Sequence, residues 1–224
     1  AGTYVGAEFD SLVTITATAA NIFLENCSFE RRYTSTPKTI TSDGNNLTLK
    51  GCSFETISPI AVATAPFLSG SVKCEQCTFS YVDGKILTGA VPTTDSKDNT
   101  VVLSQSGPQD LNFNNFFEDS AAQFINKLVF QGSDATYTVS NMGTSTENRN
   151  NLTLKVTSKN HVDEKTGHTY YSPTVETPTI TLDLDSGTLN SGTFHRHLIL
   201  EVDDNCSMTV QNGTLHGLIG NTEA

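Results

Sequence analysis

Apolar and polar residues alternate in short runs from residue 21 onward, and each run is broken once by a single polar or glycine residue. Ile22 and Leu24 lie on one side of an extended chain, Asn26 interrupts, and Cys27 and Phe29 resume. The next copy reads Leu47, Leu49, Gly51, Cys52 and Phe54, and the third reads Val72, Cys74, Gln76, Cys77 and Phe79. Alternation with a period of two gives one buried and one exposed face to a strand. The lone Asn or Gly suits a bend in the left-handed or bridge region of backbone space. Each unit is therefore predicted to be two short strands joined at a tight corner.

The copies keep a fixed interval. Cys27, Cys52 and Cys77 are 25 residues apart, as are Phe29, Phe54 and Phe79, and so are Leu24, Leu49 and Cys74. NIFLENCSFE (21–30) and NLTLKGCSFE (46–55) agree at six of ten positions, and SVKCEQCTFS (71–80) follows the same outline. A constant period of this length marks stacked repeats, each covering the apolar face of its neighbour. Helical repeats are longer, the LxxLxLxxN signature of leucine-rich repeats is absent, and a β-sandwich has no reason to hold identical spacing. Stacked parallel turns do, since each side chain must sit about 4.8 Å above its equivalent.

The expected architecture is one all-β solenoid domain over 1–224, with regular turns over 1–91 and degenerate ones over 92–224. Division by the period gives about seven to nine rungs of roughly 25 residues. NLTLK recurs at 46–50 and 151–155, and NCSMTVQNGTL (205–215) repeats the outline with Leu215 in the phenylalanine slot. LVFQGSDATYTVSN (128–141) and TITLDLDSGTLNSG (179–192) read as further strand–corner–strand units. Polar insertions at 92–99, 143–150 and 158–178 are expected to leave the stack as loops on one side. Asp43-Gly44-Asn45-Asn46 reads as a turn. Residues 109–128, with Phe113, Phe116, Phe117 and Phe124, fit either a short helical excursion or an irregular rung.

Composition agrees with strands and turns: Thr and Ser fill 54 of 224 positions, which lowers helix propensity. The formal charge is −11. Such a surface repels phosphate and anionic membrane, and Arg31-Arg32 is too small a basic spot to offset it, so no nucleic-acid partner is expected. No stretch is long and apolar enough for a membrane-spanning helix. The opening AGTYVGAEFD does not read as a signal peptide, and the chain reads as a mature product or an excised piece. Sequons begin at Asn26, Asn46, Asn151, Asn205 and Asn212; chance places about four in a chain of this composition, so glycosylation is permitted rather than implied.

Cys74-Glu75-Gln76-Cys77 invites a redox or zinc reading, but Cys74 replaces Leu24 and Leu49 while Cys77 replaces Cys27 and Cys52. Both are ladder positions, where a thiol packs as a small apolar group. Stacking brings the three cysteines near one another with parallel Cβ vectors, which aim poorly for a disulfide, so mostly free thiols are expected. Histidines and carboxylates concentrate near the end of the chain: His195 and His197, then Asp183, Asp185, Glu201, Asp203 and Asp204. Asp183, Asp185, Glu201 and Asp203 are the candidates for acid–base work on a glycoside. Asp183, Asp185, Asp203 and Asp204 are the weak candidates for Ca²⁺, the one cofactor the residues suggest. The plainer reading is a solvated outer face, with Leu182, Leu184, Leu198, Leu200 and Val202 filling the buried positions between. No P-loop, dinucleotide fingerprint or nucleophile elbow is present.

The NCSF and GCSF units, with NLTLKGCSF and MTVQNGTL, resemble right-handed parallel β-helix proteins. The nearest likeness is to repeats of adhesin-like and polymorphic outer-membrane-type surface proteins, good over 21–80 and loose over 128–215. The resemblance implies a single-stranded right-handed parallel β-helix, either secreted or exposed on a cell surface, with a structural or binding role as an adhesin-like passenger or filament segment. Self-association end to end, or a host-surface or carbohydrate ligand, would then be the partner. The wider superfamily also contains pectate-lyase-like enzymes and virion tailspikes, whose sites are acidic clusters on an outer sheet. A polysaccharide lyase or glycoside hydrolase and a tailspike are therefore the alternatives.

Overall fold

The structure is a computed structural model that describes residues 2–9, 16–17, 21–31, 40–56, 68–80, 90–92, 96–104, 107–112, 125–131, 134–140, 152–157, 161–163, 168–170, 178–185, 188–190, 198–216 and 219–220. Among them no helix occurs, and nearly all strands pair in parallel. The first sheet is formed by β1 (Gly2–Val5), β4 (Ile22–Glu25), β6 (Ile40–Lys50), β8 (Leu68–Glu75) and β10 (Ala90–Pro92), with β3 (Thr16–Ala17) alongside β6. A long second sheet runs through β2 (Glu8–Phe9), β5 (Ser28–Arg31), β7 (Ser53–Thr56), β9 (Thr78–Ser80), β11 (Asn99–Leu103), β13 (Ile125–Gln131), β15 (Leu152–Thr157), β20 (Leu198–Val202) and β23 (Ile219–Gly220). The third holds β12 (Gly107–Asn112), β14 (Ala135–Ser140), β18 (Thr179–Asp183) and β21 (Ser207–Gln211). A small fourth pairs β19 (Thr188–Asn190) with β22 (Thr214–His216).

This is a parallel β-solenoid, and its first and second sheets meet at one corner. Asn26, Gly51, Gln76 and Asp98 hold that corner at φ of 52, 60, 56 and 59°. Each bend keeps step with the next turn. Asn26 N–H donates to the Lys50 carbonyl at 2.9 Å, Gly51 to Glu75 at 2.9 Å and Gln76 to Lys97 at 3.1 Å. Just past the bend, Ser53, Thr78 and Thr100 donate to the carbonyls of Cys27, Cys52 and Cys77. These bonds pair backbone donors that the turn of the chain would otherwise leave without a partner.

In-step corners place like on like. Phe9, Phe29, Phe54 and Phe79 stack with centroids 4.8 Å apart and planes within 10°. Val101, Leu128, Leu154 and Leu200 continue that column along the second sheet. Leu24, Leu49 and Cys74 form the column on the first sheet, all buried. Burying each phenylalanine contributes roughly 1.5–3 kcal/mol, with about 1 kcal/mol more for each stacked pair. Cys27, Cys52, Cys74 and Cys77 are buried free thiols. The sulfurs of Cys27, Cys52 and Cys77 point at carbonyls, Cys52 Sγ to Leu24 O at 3.3 Å, Cys27 Sγ to Glu25 O at 3.4 Å and Cys77 Sγ to Glu75 O at 3.6 Å. Burial pushes the Cys27 thiol up. A hydrogen bond with Cys77, then burial, pushes up Cys52. In Cys77 the pull downward from Cys52 is outweighed by a hydrogen bond with Cys74 and by burial.

Several expectations are corrected. The turns are somewhat fewer than the seven to nine expected, and the 25-residue step links Phe29, Phe54 and Phe79 within the part expected to be regular. Along the second sheet Phe9 and Phe29 are 20 residues apart, Phe79 and Val101 22, and Leu154 and Leu200 46. Pairing fixes the step between turns and leaves loop length free. Residues 43–46 are not a separate turn: they lie within β6, where the register shifts between Ser42 and Leu47. The ends of 109–128 are strands β12 and β13, while 113–124, where a helical excursion would fall, lie outside the described residues. Within 92–99, of which 93–95 lie outside the described residues, Ser96 and Asn99 do not loop out but are buried at 2% and 0% exposure. Ser96 Oγ accepts from Cys74 N–H at 3.0 Å, while Asn99 accepts from Cys77 N–H at 2.8 Å and donates to the Cys74 carbonyl at 3.1 Å. These side chains supply the hydrogen bonds that a regular strand would have made. Within 158–178, β16 (His161–Asp163) and β17 (His168–Tyr170) form an antiparallel hairpin; 143–150 lie outside the described residues. Leu215 pairs with Leu189 on the fourth sheet, off the phenylalanine column.

Three substitutions test this packing. Gly70 sits at φ 79°, and a Cβ there would collide with the Ser42 backbone carbonyl, whereas a Cβ on Gly6 (φ 64°) meets nothing. Gly6→Ala is expected to cost about 1 kcal/mol for left-handed backbone, and Gly70→Ala well over about 2 kcal/mol, read from urea unfolding midpoints. Equal costs would mean the contact between β6 and β8 is looser than described. The Tyr137 hydroxyl, by contrast, is buried without a hydrogen-bond partner, its ring set edge-on to Phe130 at 5.0 Å. Burial pushes its ionisation well above the ordinary phenol range. Tyr137→Phe is expected to stabilise the protein by about 1 kcal/mol, and a loss of stability would reveal a partner for that oxygen.

Candidate functional site

The carboxylates clustered near the end of the sequence divide between two sheets. Asp183 ends β18 on the third sheet, and its oxygens accept from the Asp185 backbone N–H at 3.0 Å, Asn212 Nδ2 at 2.9 Å and Gln211 Nε2 at 3.3 Å. Those donors, the Asp185 N–H foremost, hold its carboxyl below the usual carboxylate range. Asp185 occupies the adjoining corner at φ 44°, stacked near Asn212 at φ 53°. Glu201 belongs to the second sheet, and Asp203 lies just past the end of its strand β20. Lys127 Nζ lies 3.2 Å from Glu201, and Lys155 Nζ lies 3.9 Å from Glu201 and 2.9 Å from Asp203. A hydrogen bond from Thr157, then Lys155, holds Asp203 low, and the bond to Asp203 holds Lys155 above the usual lysine range. Asp204 is exposed in the turn closed by Cys206 N–H on the Asp203 carbonyl.

Asp183, Glu201 and Asp203 are committed to internal partners. A general acid needs a carboxyl held protonated near neutral pH, the reverse of the direction seen for Asp183 and Asp203. Calcium takes six to eight oxygen ligands, while the oxygens of Asp183 and Asp203 face N–H and ammonium donors. Among the described residues no three His, Cys, Asp or Glu side chains gather as a metal site. His195 and His197 lie outside the described residues. Leu182 and Leu184 are buried between the acidic positions, as expected, but Val202 is 46% exposed. Among the described residues its strand is covered beyond at Leu198 and Ile199, by Ile219 and Gly220. Of the sequons, Asn26, Asn205 and Asn212 are exposed at left-handed corners, Asn46 falls in the bulged part of β6, and Asn151 lies outside the described residues.

A different feature stands out on the first sheet. Its outer face carries the column Val5, Glu25, Lys50, Glu75 and Lys97, in which charges alternate from Glu25 onward. Glu25 and Lys50 pair at 3.2 Å, and Glu75 and Lys97 at 3.8 Å. The neighbouring outward column is Thr3, Phe23, Thr48 and Lys73. Phe23 is 46% exposed in this otherwise polar column. Thr3, Phe23, Leu24, Glu25, Thr48 and Lys50 line a surface groove of about 360 Å³. The clue in the sequence is the run Ile22-Phe23-Leu24, three apolar residues where alternation calls for a polar one in the middle.

The network around Lys155 predicts a definite pH profile. The contribution of Asp203 is fully present above about pH 4 and is lost as pH falls through its lowered folded value. That of Lys155 is fully present below about pH 10.4 and is lost as pH rises through its raised folded value. Asp203→Asn should therefore lower Tm through the neutral range and converge on the parent protein in strong acid. A Tm gap that persists below about pH 2 would remove the ionic explanation.

No family model matches this chain, and neither a curated protein nor a solved structure matches it.

Proposed function

We propose that this chain is a structural or binding β-solenoid, secreted or displayed on a cell surface as an adhesin-like passenger or filament segment. The observation that carries the reading is the commitment of its carboxylates: Asp183 to the Asn212–Gln211 corner, Glu201 and Asp203 to Lys127 and Lys155. A lyase or hydrolase keeps two or more carboxyl groups free to converge on one bond. Here the acids hold turns together, and the outer face of the first sheet offers a shallow groove with an exposed aromatic ring. A polar, rigid scaffold with a small recognition patch suits attachment better than turnover. Partners on this reading are a host surface or its carbohydrate, or further copies of the chain stacked end to end.

The test is incubation with a panel of polysaccharides, following both retention of the protein and release of reducing or unsaturated ends. Retention on a polysaccharide or on cells without new chain ends is the expected result. Steady release of new ends, abolished by Asp183→Asn or Glu201→Gln, would establish the polysaccharide lyase or hydrolase instead. Mass measured over a range of concentrations reports end-to-end assembly.

A further inference from the structure

We infer that the groove beside Phe23 is a binding site for an uncharged pyranose unit of a glycan; this rests on the binding role proposed above. The repeat itself shows that Phe23 is not there for the fold. Its equivalents one and two turns on are Thr48 and Lys73, and its neighbour on the other side is Thr3. Every phenylalanine of the inner column is stacked on another, whereas Phe23 points outward and makes no ring stack among the described residues. An outward benzyl group flanked by two threonines lacks the packing gain that keeps its inward counterparts in place.

The surrounding groups define the ligand. An aromatic face carries partial negative charge and attracts the weakly positive C–H bonds on the flat side of a pyranose ring. Thr3 and Thr48, in register with Phe23 on the adjoining strands, bring hydroxyls that both donate and accept, matching sugar hydroxyls. Glu25 and Lys50 border the groove and neutralise one another at 3.2 Å, leaving no net charge to hold an ionic ligand. The net charge of −11 further repels acidic polysaccharides. At about 360 Å³ the groove falls at the small end of ligand clefts, the size of a saccharide unit rather than a protein interface.

The experiment is saturation-transfer NMR on the full chain with neutral gluco-, galacto- and manno-oligosaccharides, and with uronic-acid oligosaccharides as the charged arm. Transfer to ring C–H protons of a neutral sugar is expected. Phe23→Ala should weaken that affinity at least about tenfold, while Phe23→Tyr retains it. Because the side chain is outward, both variants should keep the parent Tm, which separates loss of binding from loss of fold. Absence of transfer from every neutral sugar, binding of charged sugars alone, or transfer unchanged in Phe23→Ala would each overturn the inference. If Phe23→Ala and the parent adhere equally well to cells, the sugar assignment falls and the binding role stands. If the parent neither adheres nor receives transfer, both fall.

Discussion

Hydrogen bonds across the corner between the first two sheets are the constraint from which the rest of the molecule follows. A residue with positive φ turns the chain, and its N–H is held by the carbonyl of the next turn, as in Asn26 to Lys50 and Gly51 to Glu75. Because the bend itself is paired, the strands before and after it stay in step from one turn to the next. Left-handed backbone costs a residue with a side chain about 1–2 kcal/mol, so Asn26 and Gln76 hold this conformation because the ladder on either side secures it. Columns of phenylalanine, leucine and thiol are then a result of the corner rather than its cause. Each column removes apolar surface from water and fixes the register further, since a slip of one residue would turn every inward side chain out.

Alternation and period tell which side chains face inward and which residues are neighbours between turns; they do not tell which sheet a strand joins. NLTLK shows the limit. At 46–50 it belongs to the first sheet, whereas the second copy contributes 152–155 to the second sheet, with leucines inward both times. Leu215 was placed by the same logic in the phenylalanine slot and instead lies over Leu189. Ser96 and Asn99 look like loop residues because they are polar, yet they are buried as stand-ins for backbone hydrogen bonds. That substitution depends on Cys74 and Cys77 of the preceding turn, which local composition does not express.

The chemistry was less legible than the fold, for a related reason. Sequence shows where acidic residues are concentrated, but their partners come from other turns. Lys127 and Glu201 are 74 residues apart and still make a 3.2 Å ion pair. Asp183 is tied to residues 28 and 29 positions away. Phe23 was the reverse case, a local departure from a strict pattern, visible to anyone comparing residues 21–25 with 46–50 and 71–75. Departures from a repeat are informative because the repeat states what packing alone requires.

The alternating column on the first sheet bears on how such a molecule can lengthen. Copying one 25-residue unit preserves thiol over thiol and ring over ring, so the interior is indifferent to how many units are added. The outside is not: Glu25, Lys50, Glu75 and Lys97 repeat every second unit, and a single extra unit would set glutamate over glutamate or lysine over lysine. Growth by units in pairs keeps opposite charges facing, which makes a doublet of about 50 residues the natural step of duplication for this stretch of the chain.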